Sequence, residues 1–327
     1  MISDIDILTL ADIEAAAVRL AGHAVRTPLL SHPDLDARTG ARVFLKAEPL
    51  QRTGSFKFRG AFNRIAQIDA GRTPGGVVAF SSGNHGQAVA AASRFFGLKA
   101  TVVMPSDAPA IKVELTRAHG ATIIPYDRFG EDRAAIAARI IAETGAVLVP
   151  PYDDRDVMAG QGTIGLEIVE ELATAGLAPD AVLVCCGGGG MTAGIATAVK
   201  ARAPAARLYA VEPEGFDDTA RSLASGAHER NAPGRSTICD AIVTPTPGNL
   251  TFPINRRLVH GAFAVSDAEV RAAMAYAMRH LKLVVEPGGA VALAAVLAGK
   301  LDLTGKVAVA VLSGGNVDPG LLASVLG

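Results

Sequence analysis

The sequence predicts an α/β protein in which helices cover parallel β-sheets. Short runs rich in β-branched residues alternate along the chain with longer segments that are apolar at helical spacing. The short runs are apolar throughout, which is typical of strands buried on both faces. Right-handed crossovers would place the carboxyl ends of these strands on one side of each sheet, where ligands bind.

The pattern locates individual elements. The predicted strands are 77–80, 100–104, 121–125, 146–149, 181–186, 207–212 and 307–312. The predicted helices are 87–96, 111–119, 132–143, 191–201 and 270–280. No repeat or linker marks a boundary. We expect a small domain, 76–150, inserted into a large domain formed by 1–75 and 151–327.

The composition is that of a globular protein. The chain has 327 residues, 50% of them hydrophobic, and a formal net charge of −1, so it offers no basic surface for nucleic acid. No apolar run could span a bilayer, and the first residues do not resemble a signal peptide. The odd number of cysteines favours a reducing compartment. We therefore expect a cytoplasmic protein without nucleic-acid or membrane partners.

Lys57 is the most informative residue because it lies between Phe56 and Phe58. Burial among apolar side chains lowers the pKa of a lysine and makes its amine a nucleophile able to form Schiff bases. The alternative is a lysine whose stem crosses a hydrophobic surface while its ammonium stays in water. This segment alone favours the alternative.

A run of glycines, Gly187 to Gly190, separates a predicted strand from a helix that begins near Met191. Without Cβ atoms the backbone can close around an anion, and the helix N-terminus attracts a phosphate. A tight turn would need only one or two glycines. The run also fits the dinucleotide fingerprint, with Ala193 at its end and Glu212 at the expected distance, so a nicotinamide dehydrogenase is an alternative.

A second polar loop, Ser81-Ser82-Gly83-Asn84-His85, follows strand 77–80 and opens a helix. Its hydroxyl, amide and N–H groups suit a carboxylate, although helix capping alone would explain them. A third loop, Ser313-Gly314-Gly315-Asn316, follows strand 307–312. Three such loops and one nucleophilic lysine indicate a phosphate-bearing aldehyde cofactor.

The chain resembles the fold-type II pyridoxal-phosphate enzymes, with a tryptophan synthase β-like fold of two doubly wound parallel-sheet domains. Within them it is similar to the serine racemase and serine/threonine dehydratase group. The resemblance covers about residues 11–322 and rests on motifs in a fixed order: SFKFRGA, SSGNHGQA, AGQGT, GGGGM, VEP…DD, EPGGA and LSGGNVD.

The resemblance implies roles for the cofactor-site residues. Lys57 would bind pyridoxal 5′-phosphate covalently and act as a base on the substrate. Phe56 would lie against the pyridine ring, Asn84 would bind its 3′-oxygen, and Ser313 would face the pyridine nitrogen. A neutral hydroxyl there favours loss of a β-substituent over prolonged carbanion chemistry. The phosphate would be held by the N–H groups of Gly187, Gly188, Gly189, Gly190 and Met191.

The implied activity is removal of water and ammonia from L-serine, L-threonine or 3-hydroxyaspartate, giving a 2-oxo acid. The substrate carboxylate would be bound by Ser81, Ser82, Asn84 and His85. Ser82 also matches the second base of serine racemases, so racemisation by Lys57 and Ser82 is the alternative activity.

Other implied features concern the substrate, metal and assembly. Arg133 could pair with a β-carboxylate, or it could be an ordinary surface arginine, and Thr244 would also face the substrate. The resemblance also implies a site for Mg²⁺, Ca²⁺ or Mn²⁺ formed by Glu212, Asp218 and the Phe216 carbonyl. The alternative is an acidic loop that only contacts solvent, as most acidic loops do. The resemblance further implies a homodimer, and we expect no C-terminal regulatory domain.

Overall fold

The computed structural model describes residues 8–81, 83–108, 110–128 and 130–326. Within these residues the chain forms two β-sheets flanked by helices, which confirms the predicted α/β class. One sheet has six strands and the other has four. No helix in this part of the chain is both long enough and apolar enough to cross a membrane.

The elements are numbered in chain order. The strands are β1 (Leu29–Ser31), β2 (Arg42–Ala47), β3 (Val77–Phe80), β4 (Ala100–Pro105), β5 (Thr122–Tyr126), β6 (Val147–Leu148), β7 (Ala181–Cys185), β8 (Arg207–Pro213), β9 (Gly261–Val265) and β10 (Val307–Leu312). The first helices are α1 (Leu10–Leu20), α2 (Pro33–Thr39), α3 (Lys57–Ile65), α4 (Asn84–Phe95), α5 (Ala110–Ala118), α6 (Arg133–Thr144) and α7 (Arg155–Thr174). The remaining helices are α8 (Gly190–Arg202), α9 (Asp218–Ser225), α10 (Thr251–Leu258), α11 (Asp267–Tyr276), α12 (Pro287–Leu297) and α13 (Pro319–Leu326).

The two sheets are almost entirely parallel. The larger has the order β1-β2-β10-β7-β8-β9, and only the β1–β2 pair is antiparallel. The smaller has the order β5-β4-β3-β6. Parallel strands align their carboxyl ends, so the loops after β3, β7 and β10 lie at the edges where a ligand is expected.

Every predicted strand and helix is present, with ends shifted by up to four residues. The sequence pattern did not identify β1, β2 or β9. Strands of the smaller sheet fall between Val77 and Leu148, but the core around that sheet also contains Leu20, Phe58 and Phe62. Helix α3 therefore packs with the smaller sheet although it precedes it in the chain. The domain limits at 76 and 150 stay a prediction.

The hydrophobic core of the larger sheet is formed by apolar strand residues and the helices on both faces. Cys185, Cys186 and Cys239 are buried and free, which confirms that they form no disulfide framework. Burial raises the pKa of Cys185 to about 11, so this thiol is inert at neutral pH.

Candidate active site

One cavity of about 540 Å³ lies where the carboxyl ends of the two sheets meet. Its volume is in the range of small-molecule and cofactor sites. Most of the residues singled out from the sequence line it: Phe56, Lys57, Ser81, Asn84, His85, Arg133, Gly187, Gly188, Gly189, Gly190, Met191, Thr244 and Ser313. Ser82 lies outside the described residues. Glu212, Phe216 and Asp218 do not line the cavity.

Lys57 is the first residue of α3, and its side chain lies in the cavity wall. Its Nζ donates a hydrogen bond of 2.7 Å to the carbonyl oxygen of Pro151 and lies 5.0 Å from the centre of the Phe56 ring. Burial lowers the pKa of this amine to about 8, although the nearby Glu286 carboxylate opposes the shift. The amine is thus directed into the cavity, which favours the nucleophile over a lysine whose ammonium extends into the surrounding water.

This lowered pKa predicts how Lys57 of the cofactor-free protein reacts with an acylating reagent. Only the neutral amine reacts, so the rate should rise about tenfold per pH unit up to pH 8 and then level off. An ordinary lysine would keep gaining reactivity to about pH 10.4. Competitive acetylation followed by mass spectrometry measures the rate, with the exposed Lys99 as reference for the reagent. A Lys57 rate still rising above pH 9 would contradict the prediction.

The glycine loop after β7 has N–H groups that are not used by any described residue. Its carbonyl oxygens point to α10, where Gly188 O accepts from Thr251 Oγ1 at 2.6 Å and Gly189 O accepts from Asn255 Nδ2 at 3.1 Å. The N–H groups from Gly187 to Thr192 donate to no partner among the described residues. Unpaired N–H groups at the start of α8 suit a phosphate.

Close packing explains why the loop has no side chains. A Cβ on Gly188 would lie 2.4 Å from the Tyr152 ring, and Gly189 has a φ of +87°. Both amide atoms of the nearby Gln161 are buried and form no hydrogen bond with the part of the chain that the structure describes. Orphaned polar atoms beside free N–H groups are the environment that a bound anion would satisfy.

Asn84 and His85 begin α4 on the opposite wall. Asn84 Nδ2 donates to Glu286 Oε1 at 2.5 Å, and Asn84 Oδ1 accepts from Asn316 Nδ2 at 2.8 Å. Burial and the positive charge of Lys57 lower the pKa of His85 to about 3, so its ring is neutral. His85 Nε2 therefore donates to Val149 O at 2.8 Å.

Sequence reasoning missed several charged residues of this cavity, among them Glu286, Lys112 and Asp240. Glu286 is buried, its Oε2 has no hydrogen-bond partner among the described residues, and burial raises its pKa to about 7. Lys112 of α5 forms an ion pair of 2.7 Å with Asp240, across the cleft between the two sheets. The EPGGA motif contains Glu286 and was the only signal for it.

The remaining predicted residues occupy distinct parts of the wall. Ser313 follows β10 and is 5% exposed, and Thr244 has a buried hydroxyl without a partner among the described residues. Arg133 begins α6, and its guanidinium lies 5.0 Å from the centre of the Phe80 ring. The side chains of Ser313, Thr244 and Arg133 all line the cavity, so each can contact a ligand that enters it.

The acidic residues at the end of β8 and the start of α9 form a separate cluster. Glu212 accepts from the N–H groups of Thr219 at 3.0 Å and Ala220 at 2.9 Å, at the start of α9. Burial and the charge of Asp218 raise the pKa of Glu212 to about 8. Asp218 Oδ1 accepts from Asn231 Nδ2 at 2.6 Å, whereas its buried Oδ2 has no partner among the described residues. Both carboxylate oxygens of Glu212 are therefore hydrogen-bonded to the start of α9. Glu212 is not placed to bind the ribose of a dinucleotide, as the dehydrogenase alternative would require.

The fold and the site define a pyridoxal-phosphate-dependent enzyme. Residues 20–314 match the family model described as pyridoxal-phosphate dependent enzyme, and the chain belongs to this family. Family membership makes the chain an enzyme with pyridoxal phosphate as cofactor, and it replaces the dehydrogenase alternative. The free N–H groups of the glycine loop and the buried Lys57 amine fit the phosphate and the aldehyde of that cofactor.

Comparison with individual proteins shows which pyridoxal-phosphate-dependent enzymes the chain is similar to. The chain is 48% identical to L-threo-3-hydroxyaspartate ammonia-lyase of a Pseudomonas species, over 96% of this chain and 97% of the relative. It is 42% identical to the enzyme of that name from Saccharomyces cerevisiae, over 95% and 94% of the two chains. The structure of maize serine racemase superposes with a TM-score of 0.91 at 38% identity, covering 97% and 96%. The chain is thus similar to ammonia-lyases and racemases of one fold, which confirms the resemblance to fold-type II enzymes.

Proposed function

We propose that this enzyme is an ammonia-lyase for β-hydroxy amino acids, with L-threo-3-hydroxyaspartate as its preferred substrate. The reaction removes the α-proton and the β-hydroxyl, and water then releases ammonia, so each substrate yields one 2-oxo acid and one ammonia. The observation that supports it most is the single cavity that holds the Lys57 amine, the glycine loop and an arginine without a carboxylate partner among the described residues.

Different residues of the cavity would serve as the base, hold the cofactor and bind the substrate carboxylate. Pyridoxal phosphate, when bound, withdraws electrons from the substrate α-carbon. Lys57 Nζ, with a pKa of about 8, can hold or release a proton near neutral pH, as a base for the α-proton must. The loop from Gly187 to Met191 would hold the phosphate, and Phe56, Asn84 and Ser313 would position the ring. The N–H groups at the N-terminus of α4, including that of His85, and the Ser81 hydroxyl would bind the α-carboxylate, whereas the His85 ring already donates to Val149.

Arg133 supports a dicarboxylate substrate. Besides Lys57, the described cavity wall contains the cations Lys112, Arg128 and Arg133. Lys112 pairs with Asp240 at 2.7 Å and Arg128 pairs with Asp107 at 2.8 Å. Arg133 has no carboxylate within ion-pair distance among the described residues, and its guanidinium is held over an aromatic ring. A substrate β-carboxylate would supply the missing partner.

The substitution Arg133→Met tests this role. We expect kcat/KM for L-threo-3-hydroxyaspartate to fall about 10- to 100-fold, because a hydrogen bond to a charged group contributes about 1.5–3 kcal/mol. The value for L-serine, which has no β-carboxylate, should change less than about threefold. Steady-state kinetics on both substrates measure the difference. Arg139→Met on the exposed part of α6 is the matched control, and equal losses on both substrates would contradict the proposal.

A substrate panel tests the proposed function itself. The holoenzyme is incubated with L-threo- and L-erythro-3-hydroxyaspartate, L-serine and L-threonine, while 2-oxo acid, ammonia and the D-isomers are measured. We expect equal amounts of 2-oxo acid and ammonia, most rapidly from the threo isomer. Faster formation of a D-isomer than of a 2-oxo acid would instead favour racemisation, which the similarity to maize serine racemase supports.

We also propose that a divalent cation, Mg²⁺, Ca²⁺ or Mn²⁺, binds Glu212, Asp218 and the Phe216 carbonyl. The buried Asp218 Oδ2 without a partner among the described residues supports this site, and carboxylate and carbonyl oxygens suit such ions. Mg²⁺ at 100 times its dissociation constant should stabilise the protein by about 2.7 kcal/mol. Thermal unfolding measures this gain. Asp218→Asn should abolish it and Asp217→Asn should not, and equal gains in both variants would refute the site.

The homodimer and the cytoplasmic location stay predictions from the sequence. Sedimentation of the holoenzyme measures whether it is a homodimer.

A further inference from the structure

We propose that His32, Asp34 and His280 form a binding site for a transition-metal ion such as Zn²⁺, distinct from both the cofactor cavity and the acidic loop. One ligand atom from each side chain lies within 4.8 Å of the others. None of the three lines the cavity. Two imidazoles and one carboxylate are ligands that Zn²⁺ prefers, and three protein ligands leave one position for water.

The cluster joins two distant parts of the chain. His32 and Asp34 lie at the start of α2, whereas His280 lies in a π-helical turn, Ala277–Leu281, that follows α11. That turn ends at Lys282, a residue other than glycine with a φ of +59°. Single π-turns occur frequently at functional sites. Here the π-turn contains His280.

Tyr276 supplies an independent observation. It is 6% exposed, and its hydroxyl lies beside the Asp34 carboxylate. Burial and the neighbouring Asp34 carboxylate raise the pKa of this phenol to about 12, so it remains a neutral donor. Its ring stacks on His280 with 4.4 Å between ring centres. Tyr276 therefore contacts two of the three proposed ligands, Asp34 through its hydroxyl and His280 through its ring.

Small adjustments would complete the site. Zn²⁺ binds nitrogen and oxygen at about 2.0–2.2 Å, so tetrahedral ligand atoms lie roughly 3.4 Å apart. The atoms present are within 4.8 Å, so the His32 and Asp34 side chains would have to rotate toward His280 to complete the site. His32 Nδ1 accepts from the Asp34 N–H at 3.3 Å, a long hydrogen bond that a metal could replace.

Two positive charges oppose a cation at this site. Arg38 Nε donates to Asp34 Oδ2 at 2.7 Å, but the Arg38 side chain is 57% exposed and such surface pairs are weak. Asp34 Oδ1 can still bind the metal. The N-terminus of α2 is the second opposing charge, and the carboxylates of Asp34 and Asp36 in its first turn offset it.

Cobalt binding to the holoenzyme tests the proposal, because tetrahedral Co²⁺ has strong visible absorption and hexacoordinate Co²⁺ does not. Excess Mg²⁺ occupies the acidic loop throughout. We expect the unmodified enzyme to bind one equivalent of tetrahedral Co²⁺, which Zn²⁺ displaces. His32→Gln and His280→Asn should each lose that equivalent while the lyase activity is unchanged. The matched control His260→Asn, at an exposed histidine outside the cluster, should retain it.

Two results would overturn the proposal. The first is no tetrahedral Co²⁺ spectrum in the unmodified enzyme. The second is an undiminished spectrum in both His32→Gln and His280→Asn. Circular dichroism and bound-cofactor content establish that each variant is folded, and Asp34→Asn provides a third variant if either histidine change impairs folding.

Discussion

Replacing Lys57 with alanine is expected to reduce kcat by about 10²–10⁴-fold, the contribution of acid–base catalysis by one positioned group. The variant should also lose the visible absorbance band of lysine-bound pyridoxal phosphate. It should still bind the cofactor without a covalent bond, because the glycine loop and its free N–H groups are unchanged. Kinetics, spectroscopy and cofactor content after gel filtration measure these effects.

The control for that experiment is Lys99→Ala, which removes an exposed lysine outside the cavity. It should leave the activity and the absorbance band unchanged. A Lys57→Ala enzyme that keeps the band, or more than a tenth of the activity, would show that another amine does the chemistry.

Replacing Arg59 with methionine is expected to destabilise the protein by about 3–5 kcal/mol, because removing one partner of a buried ion pair leaves an uncompensated charge. Arg59 is 1% exposed and binds Glu48 through Nε and Nη2, each at 2.9 Å. It also donates to Glu167 at 2.6 Å. Burial would raise the pKa of Glu167, but Arg59 and Lys46 hold it below its ordinary value.

The urea concentration at the midpoint of unfolding measures this loss. Arg64→Met is the matched control on the same helix, since Arg64 is partly exposed and its pairs with Asp154 and Asp156 are longer, at 3.3 and 3.5 Å. The Arg64→Met control should lower the free energy of unfolding by about 0–1 kcal/mol. Equal midpoints for the two variants would mean that the buried network contributes no more than a surface pair.

The sequence pattern predicted the fold well where strands are purely apolar. Strands β3, β4, β7 and β10 were identified because buried parallel strands carry continuous apolar residues. Strand β2 was missed because the buried Lys46 interrupts its apolar run, and its charge is neutralised by glutamates of α7. Strand β1 has only three residues, too few for a periodic signal.

The parts of the candidate site that lie in short continuous motifs could be predicted from the sequence. The Lys57 segment, the glycine loop and the start of α4 each have a composition with its own chemical meaning. Glu286 was missed because its role arises from a hydrogen bond to Asn84, 202 residues away in the chain. Lys112 and Arg59 were missed for a similar reason, because a charged residue is expected at the surface unless its distant partners are known.

The central claim is that the Lys57 amine carries the cofactor. The most direct test is borohydride reduction of the holoenzyme, followed by proteolysis and mass spectrometry of the lysine-containing peptides. We predict one phosphopyridoxyl group per chain, attached to Lys57. An adduct on a different lysine, or an active enzyme with no adduct at all, would contradict the claim.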